Sequence, residues 1–338
     1  MTAATTTASD TFTRLPAAVR LAATFDPDRL RAELTALTSD DWRRQRTYSE
    51  DGASEEYAAD WRVLPLRSPG GDDRRTDAGG PGPLPFAATA WLDRAPYLAE
   101  IIESVPTSVR AARLMSLAPG ASVETHRDTP LGFPYGMVRL HVPIVTNDGA
   151  ILVLDGEVHR WQPGTFWYGD FSRPHSIANS GTSNRVHLVI DCAITRSLFD
   201  LFPPAFVEAV EVADVLFERP EIPLTPAERA TFRCTFALPQ DFGHWSGEAF
   251  GDGQSDTTDR HAVVEERPGG LVLDDGTASA PIALVHVGGG EFRLQGWTDE
   301  RSLHLDRHRR VARFIVRTGS SWQVTERETT TLMPPAHR

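Results

Sequence analysis

Two histidines and one aspartate have the types and spacing of a metal site. His126 and Asp128 form a His-x-Asp pair after a Pro-Gly turn, and His175 follows later in the segment SRPHS. Residues two apart in a strand point to the same side, so the side chains of His126 and Asp128 can reach one ion. Two imidazoles and one carboxylate are the ligand set of the facial triad that binds Fe(II) and leaves the opposite coordination face open. The pattern therefore predicts a non-haem iron centre at these three residues.

Basic side chains near the predicted metal ligands indicate a bound anion. Arg185 heads an apolar segment beyond His175, and an arginine can hold a carboxylate through two parallel hydrogen bonds. Arg139 and His141 alternate along the segment VRLHVPIV, which would place both on one face of a strand. Polar groups inside a closed pocket need partners, and an anionic ligand supplies them. For Arg139 a structural ion pair is the alternative.

Further positions have weaker support as parts of a site. Trp167 could line a substrate pocket, although a place in the core is the usual role of a large aromatic side chain. His187 lies two residues after Arg185 and shares its strand face. A second His-x-Asp pair, His304 and Asp306, has no later histidine and arginine in the same arrangement, so we interpret it as surface polar residues.

Short strands must position these side chains. Over 112–193, apolar segments of strand length alternate with Pro-Gly, Asn-Asp-Gly and Asp-Gly turn signals, which is typical of a jelly roll or a barrel. A helix is predicted to begin after Asp26, with Pro27 at its first position, and another to span 97–105. The segment WRVLPL has strand-like residues but is interrupted by Pro65.

Composition divides the chain into four regions. We predict a disordered leader over 1–13, a domain with the metal site over 14–200, a helical connector over 201–237 and a smaller β-rich α+β domain of unknown role over 238–338. The stretch 68–82 is rich in Gly, Pro and charged residues, and it is either a lid over the site or a plain insertion.

Composition and charge exclude several classes of protein. Of the 338 residues 40% are apolar and 24% are charged, as in an ordinary globular chain. The formal net charge of −12 argues against binding to nucleic acid or to an anionic membrane surface. There is no apolar run long enough to span a bilayer and no secretory signal, and the two cysteines are too few for a disulfide framework. These features predict a soluble cytoplasmic protein.

The order of the motifs resembles that of the aspartyl/asparaginyl β-hydroxylase family of Fe(II)/2-oxoglutarate dioxygenases. The similar run comprises HRD, VRLHVPIVTN, GTFWYGDFSRPHSIANSG and NRVHLVIDC, and the upstream DWRVLPLRSPGG fits the bacterial branch that includes L-proline cis-4-hydroxylase. The resemblance covers roughly 14–200. It implies a mainly β fold with flanking helices, whose core is a double-stranded β-helix of the jelly-roll or cupin type.

The resemblance also implies roles for the residues singled out above. Iron would be bound by the three predicted ligands, while Arg185 pairs with the far carboxylate of 2-oxoglutarate and His141 approaches the near one. Arg139 would bind a carboxylate of the substrate or of the co-substrate. The co-substrates would be 2-oxoglutarate and O₂, with ascorbate as a supporting reductant in vitro.

The function that the resemblance implies is hydroxylation of an unactivated C–H bond of an amino acid, with release of succinate and CO₂. The substrate would be a free proline-like amino acid, an Asp- or Asn-type one, or such a residue in a peptide. The C-terminal domain could then bind a peptide, a carrier protein or a second subunit.

Two alternatives to a hydroxylase stay open. The first is a non-catalytic cupin-like module that binds a metal or a ligand. The second is a metal-dependent isomerase or hydrolase on the same kind of barrel, which would need neither Arg185 nor His141.

Overall fold

A jelly roll followed by a closed eight-stranded barrel forms most of the described chain. The computed structural model describes residues 12–37, 42–48, 54–56, 58–128, 131–239, 242, 259–277 and 280–332. The predicted leader lies outside the described residues except for its last two positions. Of these, Phe12 is buried and stacks on Phe133, so the prediction of a disordered leader does not hold for this aromatic side chain.

The jelly roll consists of two antiparallel sheets. In chain order, the strands of this region are β1 (Ala18–Thr24), β2 (Arg43–Arg44), β3 (Arg46–Tyr48), β4 (Ser54–Glu56), β5 (Trp61–Pro69), β6 (Phe86–Ala88), β7 (Val109–Leu117), β8 (Ser122–His126), β9 (Met137–Val145), β10 (Ala150–Leu154), β11 (Glu157–His159), β12 (Thr165–Gly169), β13 (His175–Asn179) and β14 (Arg185–Ala193). The larger sheet has the order β1-β12-β9-β14-β7-β5-β2, with β6 beside β5. The smaller sheet has the order β11-β10-β13-β8, and β3 pairs with β4 separately.

The two sheets pack against each other around shared apolar side chains. Leu117 of β7, in the larger sheet, belongs to the same buried cluster as Val123, Leu154 and Ile177 of the smaller sheet. This packing of two antiparallel sheets is the jelly-roll arrangement. The fold class predicted from the sequence, a jelly-roll core with a C-terminal β domain, is confirmed.

Strands β9 and β14 have an apolar face and a polar face. Leu140 and Ile190 belong to the main apolar core on the helix-covered side of the larger sheet. Arg139, His141 and Arg185 alternate with such residues and therefore point to the other side, into the jelly roll. The two-residue period of the strands thus delivers the polar side chains to the interior.

Short helices pack on the larger sheet or connect the two regions. They are α1 (Pro27–Ala36), α2 (Pro96–Glu103), α3 (Pro204–Ala209) and α4 (Pro226–Ala230), with 3-10 turns at Ala90–Arg94, Phe133–Tyr135, Arg196–Leu201 and Val212–Asp214. The carboxylate of Asp26 accepts hydrogen bonds from the backbone N–H groups of Asp28 and Arg29, and Pro27 lies in the first turn of α1. The predicted start of this helix is confirmed, and α2 lies within one residue of the predicted start of the second helix.

One strand runs through the proline predicted to interrupt it. β5 continues from Trp61 to Pro69 and pairs with β7. The pairing register shifts between Pro65 and Arg67, because proline has no N–H to donate and is accommodated at an irregularity. The predicted interruption is therefore a bulge within a continuous strand.

The C-terminal region is a closed antiparallel barrel. Its strands are β15 (Cys234–Leu238), β16 (Arg260–Arg267), β17 (Gly270–Asp274), β18 (Ile282–Gly288), β19 (Glu291–Leu294), β20 (Arg301–Asp306), β21 (Val311–Thr318) and β22 (Ser321–Thr331). Each strand pairs with the next, and β22 returns to β15. Its core is apolar and contains the fully buried rings of Phe242, Phe292 and Phe314. Over the described residues of 259–332 the elements are strands, and α4 precedes the barrel within the predicted helical connector.

The two cysteines lie in the apolar cores of the jelly roll and of the barrel. Cys192 and Cys234 are buried free thiols, and burial raises the pKa of Cys234 to about 12. Within the described ranges, no helix has both the length and the apolar composition needed to cross a bilayer.

Candidate metal centre

The three predicted metal ligands meet at one end of the smaller sheet. His126 ends β8 and His175 begins β13, and these two residues are directly paired across the two strands. Asp128 follows two residues after His126, where its backbone N–H donates to the carbonyl of Phe171 at 2.8 Å. One ligand atom from each of the three side chains lies within 4.8 Å of the others. Strand pairing therefore brings together residues that are far apart in the sequence.

Both imidazoles are held with one ring nitrogen free for a metal. Nδ1 of His126 lies 2.8 Å from the carbonyl oxygen of Glu124, and Nδ1 of His175 lies 3.0 Å from that of Arg173. A carbonyl can only accept a hydrogen bond, so each Nδ1 carries the proton and each Nε2 keeps its lone pair. Together with a carboxylate, this donor set fits a 2-His-1-carboxylate metal site.

Arg139 pairs with carboxylates of the protein itself. Its Nη1 donates to Oδ2 of Asp128, and its Nε and Nη2 donate to the two oxygens of Asp191 at 2.6 and 3.0 Å. Arg113 donates to Asp191 as well, at 3.0 Å. Burial alone would raise the pKa of Asp191, but the charges of Arg139 and Arg113 outweigh it and lower that pKa. All three guanidinium nitrogens of Arg139 donate to carboxylates of the protein. This favours the alternative of a structural ion pair over direct binding of a substrate carboxylate.

Arg185 is buried and has no acidic partner in the part of the chain that the structure describes. Only 5% of its surface is exposed, and its Nη2 lies 3.2 Å from Nδ1 of His187. No carboxylate of the described chain lies within ion-pair distance of it, and burial lowers its pKa to about 10. An isolated buried cation is costly, and an anionic ligand removes that cost. Among the predicted residues, Arg185 has the strongest physical reason to bind an anion.

His141 and His187 are neutral groups between the metal ligands and Arg185. Burial, and then the charge of Arg185, lowers the pKa of both histidines well below the usual range. The charge of His175 also lowers the pKa of His141, which places that ring near both parts of the site. Nε2 of His141 is buried and has no hydrogen-bond partner in the described structure, so it can interact with a ligand.

Trp161 is a pocket residue that the sequence reasoning missed. It lies with His159, Arg185 and His187 around a small cavity, and its ring centroid is 5.4 Å from that of His141. Trp167, the predicted candidate, stacks on Trp161 at 5.1 Å and is not among the residues that line this cavity. Trp161 lies in the loop between β11 and β12, where no two-residue period applies, and its ring also packs against those of His159 and His187.

The second His-x-Asp pair does not become part of a comparable cluster. Nε2 of His304 lies 3.1 Å from the carbonyl oxygen of Gly289, and its Nδ1 lies near Arg313. Among the described histidines, cysteines and acidic residues, the group that could hold a metal ion is the one in the jelly roll. His304 and Asp306 do not belong to it.

Comparison with known proteins gives a family match for the jelly-roll region. Residues 25–194, half of the chain, match the sequence model of a family described as Aspartyl/Asparaginyl beta-hydroxylase. The L-proline cis-4-hydroxylase of Rhizobium meliloti (strain 1021) is 30% identical over 129 residues, which cover 38% of this chain and 44% of that relative. The match thus spans less than half the length of this curated relative, and the barrel lies beyond the family match.

Solved structures similar to this chain include two oxygenases at low similarity. An oxidoreductase of the 2OG-Fe(II) oxygenase family from Burkholderia pseudomallei is 15% identical with a TM-score of 0.34, covering 57% of this chain and 93% of that one. A prolyl hydroxylase from Trichoplax adhaerens, in complex with a hypoxia inducible factor peptide fragment, is 12% identical with a TM-score of 0.35, covering 52% and 83%. The strand pairing of this chain itself defines its fold.

Proposed function

Because this chain belongs to the aspartyl/asparaginyl β-hydroxylase family, we propose that it is an Fe(II)- and 2-oxoglutarate-dependent oxygenase that hydroxylates an amino acid. The observation that carries this proposal is the presence of two features in one jelly roll. These are a His-Asp-His ligand set and a buried arginine that has no acidic partner in the described chain. A metal-dependent isomerase or hydrolase would need the ligand set but not the arginine.

His126, Asp128 and His175 would hold the Fe(II) ion, each through one ligand atom. The backbone hydrogen bonds of the two imidazoles and the contact from Arg139 to Asp128 keep these atoms in place before the ion binds. Bound Fe(II) would supply the activation of O₂ that is coupled to conversion of 2-oxoglutarate to succinate and CO₂.

Arg185 and His141 would bind the co-substrate. A dicarboxylate suits this part of the site, because Arg185 offers a buried positive charge and His141 offers an unpartnered ring nitrogen. His187 contacts both residues, at 3.2 Å from Arg185 and 3.4 Å from His141. Because burial and the charge of Arg185 lower the pKa of His187, its Nδ1 can accept a hydrogen bond from Arg185 and hold the guanidinium in position.

We place the amino-acid substrate beside Arg113 and the segment 70–82, which lies within the predicted lid or insertion 68–82. Thr76 of this segment is buried, and its carbonyl accepts a hydrogen bond from Nη1 of Arg113 at 3.3 Å. The hydroxyl of Thr76 and Nε of Arg113 are both buried without a partner in the described structure. The carboxylate and amine of an amino acid would satisfy such groups. This supports the lid interpretation of the segment over that of a plain insertion.

The barrel holds the same segment from the other side. The N–H of Gly82 donates to the carbonyl of Gln295 at 3.0 Å, and the carbonyl of Gly82 accepts from Ala283 at 3.1 Å. Gly296 packs so closely on Gly80 that an added Cβ would lie 2.2 Å from the Gly80 carbonyl oxygen. We propose that the C-terminal barrel positions the segment 70–82 beside the substrate. The substrate would be a free amino acid or an amino-acid residue in a peptide.

The test is a mass-spectrometric screen of the full chain with Fe(II), 2-oxoglutarate and ascorbate in air. The panel contains free proline, aspartate and asparagine and short peptides with Asp or Asn. We expect succinate together with a gain of one oxygen on one class of substrate. Both signals should disappear in Asp128→Ala and persist in His304→Ala, a matched change in the other His-x-Asp pair.

Each other outcome has a defined meaning. Succinate without a product would retain the oxygenase and exclude the substrates of the panel. Turnover that does not require 2-oxoglutarate would favour an isomerase or hydrolase. Neither succinate nor product from folded, iron-loaded protein would contradict the proposal and favour a non-catalytic cupin-like binding module.

A further inference from the structure

A cavity of about 150 Å³ lies where the jelly roll meets the barrel. The jelly roll contributes Arg67, Ser108 and Arg110, the connector contributes Glu218, and the barrel contributes Arg293 and Gln295. This cavity shares no lining residue with the pocket around Arg185. It is about as large as an engineered cavity that accommodates one benzene molecule, so it has room for a small metabolite or ion.

Positive charge exceeds negative charge around this cavity. Three arginines line it, and Glu218 is the single acid among its lining residues. Glu218 is shared, because it lies 3.3 Å from Arg110 and 3.6 Å from Arg293. Asp299 pairs with Arg293 at 3.1 Å but also with Arg219 at 2.8 Å. The acids nearby are therefore divided among several cations.

Arg67 has no acidic partner in the described chain. Its Nε donates to the carbonyl of Val109 at 2.8 Å and its Nη2 donates to that of Phe86 at 2.9 Å. These two backbone bonds fix the guanidinium in place but leave its charge unbalanced. A cation held in a fixed position at a cavity wall is prepared to bind an anion.

One buried donor at the cavity also has no partner among the described residues. Arg110 is 7% exposed, and its Nε has no hydrogen-bond partner in the described structure. Gln295 is half-buried and Ser108 is exposed, and both line the cavity with side chains that can donate to a ligand. Because a buried donor without a partner is uncommon, the Nε of Arg110 is the group that a bound anion would satisfy.

We infer that this cavity is a binding site for a small oxyanion, a carboxylate or a phosphate, separate from the co-substrate site at Arg185. Arg67 and Arg110 supply charge and the unpartnered donor, and Gln295 supplies a neutral amide from the barrel side. A bound anion would contact both the jelly roll and the barrel, and would thereby stabilise the packing of one on the other. The inference does not depend on the hydroxylase activity.

The test is isothermal titration calorimetry of the metal-free full chain with succinate and, in a second arm, with inorganic phosphate. The two arms distinguish a carboxylate site from a phosphate site. We expect at least tenfold weaker binding in Gln295→Glu, because the substitution places a negative charge of nearly the same shape in the cavity. Arg67→Gln should weaken binding in the same way, and Arg62→Gln, an exposed arginine on the same strand, should not.

Arg185→Gln separates this site from the co-substrate site, since it should leave binding in the cavity unchanged. Thermal unfolding of each variant shows whether the chain is still folded, and Gln295→Glu retains the backbone hydrogen bonds of that position. Anion binding that is lost in Arg185→Gln and unaffected by Gln295→Glu would overturn the inference. The same holds if the wild-type chain binds neither anion.

Discussion

The jelly roll and the C-terminal barrel are both antiparallel β structures with a buried interior, but their interiors differ in chemistry. The jelly roll encloses buried polar groups, among them Arg113, His141, Arg185 and Asp191. The barrel core contains aromatic and aliphatic side chains such as Phe314, and the buried charges beside it, Asp299, Glu300 and Arg301, have ion-pair partners within the chain. The same two-residue alternation of strands produces both interiors, and the residue types at the inward positions decide which one results.

This difference separates stability from function within one chain. An apolar interior is satisfied by its own packing, so the barrel core needs no ligand. The polar interior of the jelly roll satisfies some of its charges internally, as Arg113 and Asp191 do, but Arg185 and Nε2 of His141 have no partner of this kind among the described residues and can be satisfied by a ligand. We therefore expect substitutions in the jelly-roll interior to change binding and turnover, and substitutions in the barrel interior to change stability.

The largest effect is expected from His175→Ala. Loss of a metal ligand should reduce turnover by more than about 100-fold, because loss of groups that merely orient a ligand already costs roughly 10–100-fold. Succinate formation and bound iron are the measurements. His304→Ala is the matched control and should behave like the wild type. Equal losses in the two variants would remove the distinction between the two His-x-Asp pairs.

Phe314→Ala is expected to affect stability and not chemistry. Removing a fully buried ring should lower the free energy of unfolding of the barrel by about 3–5 kcal/mol. Hydrogen exchange of barrel peptides in increasing urea measures this change. Val324→Ala, at an exposed position of β22, should lower it by less than about 0.5 kcal/mol. A loss of 2-oxoglutarate affinity in still-folded Phe314→Ala would break the comparison.

Arg185→Gln should weaken 2-oxoglutarate binding while the chain stays folded. Truncation of a buried charged partner costs roughly 2–5 kcal/mol, which corresponds to an increase in Kd of about 30-fold or more. Anaerobic calorimetry with the metal-loaded protein gives this value directly. Arg160→Gln, at an exposed position, is the control. An unchanged Kd would mean that another cation binds the co-substrate.

Gly296→Ala tests the contact between the barrel and the segment 70–82. Gly296 and Gly289 both have a positive φ, of 85° and 59°, so alanine strains the backbone at either position. An added Cβ would meet the Gly80 carbonyl at Gly296 but nothing within 4 Å at Gly289. We expect kcat/KM for the amino-acid substrate to fall about tenfold more in Gly296→Ala than in Gly289→Ala. A small displacement of a substrate-positioning segment by a distant substitution can reduce the rate by up to about 100-fold. Equal values would show that the barrel does not position the site.

Acidification should loosen the jelly roll before the barrel in the metal-free protein. The pKa of His187 is lowered by burial and by the charge of Arg185, so protonation favours the unfolded chain and stability falls as the pH drops below about 6.5. Burial alone would raise the pKa of Glu291, but hydrogen bonds from Arg219 and Ser302 and the charge of Arg317 lower it to about 2. This carboxylate contributes stability above about pH 4.5 that is lost toward pH 2. Hydrogen exchange of the two regions at pH 5 and pH 7 measures the order, and earlier loosening of the barrel would contradict it.

Much of the fold was predictable because strands carry a local period. The alternation of Arg139 and His141 with apolar neighbours predicts a polar face, and that face lies in the jelly-roll interior. The start of α1 was predictable because Asp26 caps its own helix. Pro65 led to a wrong prediction of an interrupted strand. A local pattern treats proline as a break, but a bulge in the pairing with the partner strand accommodates it.

The site was predictable in its residue types but less so in its contacts. Nothing local to Arg139 indicates that Asp191, on a neighbouring strand, would occupy it. Trp161 lies at the pocket through ring contacts from a loop to several strands, including the stacking on Trp167, and no spacing rule predicts such contacts. Such partners depend on pairing register and on packing, which short sequence patterns do not contain.

By itself, the sequence determined the residue types of the metal ligands, the alternation that points polar side chains into the jelly roll, and the order of the family motifs. Each of these depends on residues that are close together in the chain. Only the tertiary structure decided that Arg185 has no acidic partner among the described residues, while Arg139 has two. It also decided that the barrel forms hydrogen bonds with the segment 70–82, which contains Thr76. These outcomes depend on distances between segments far apart in the chain, and those distances exist only once the sheets have paired and packed.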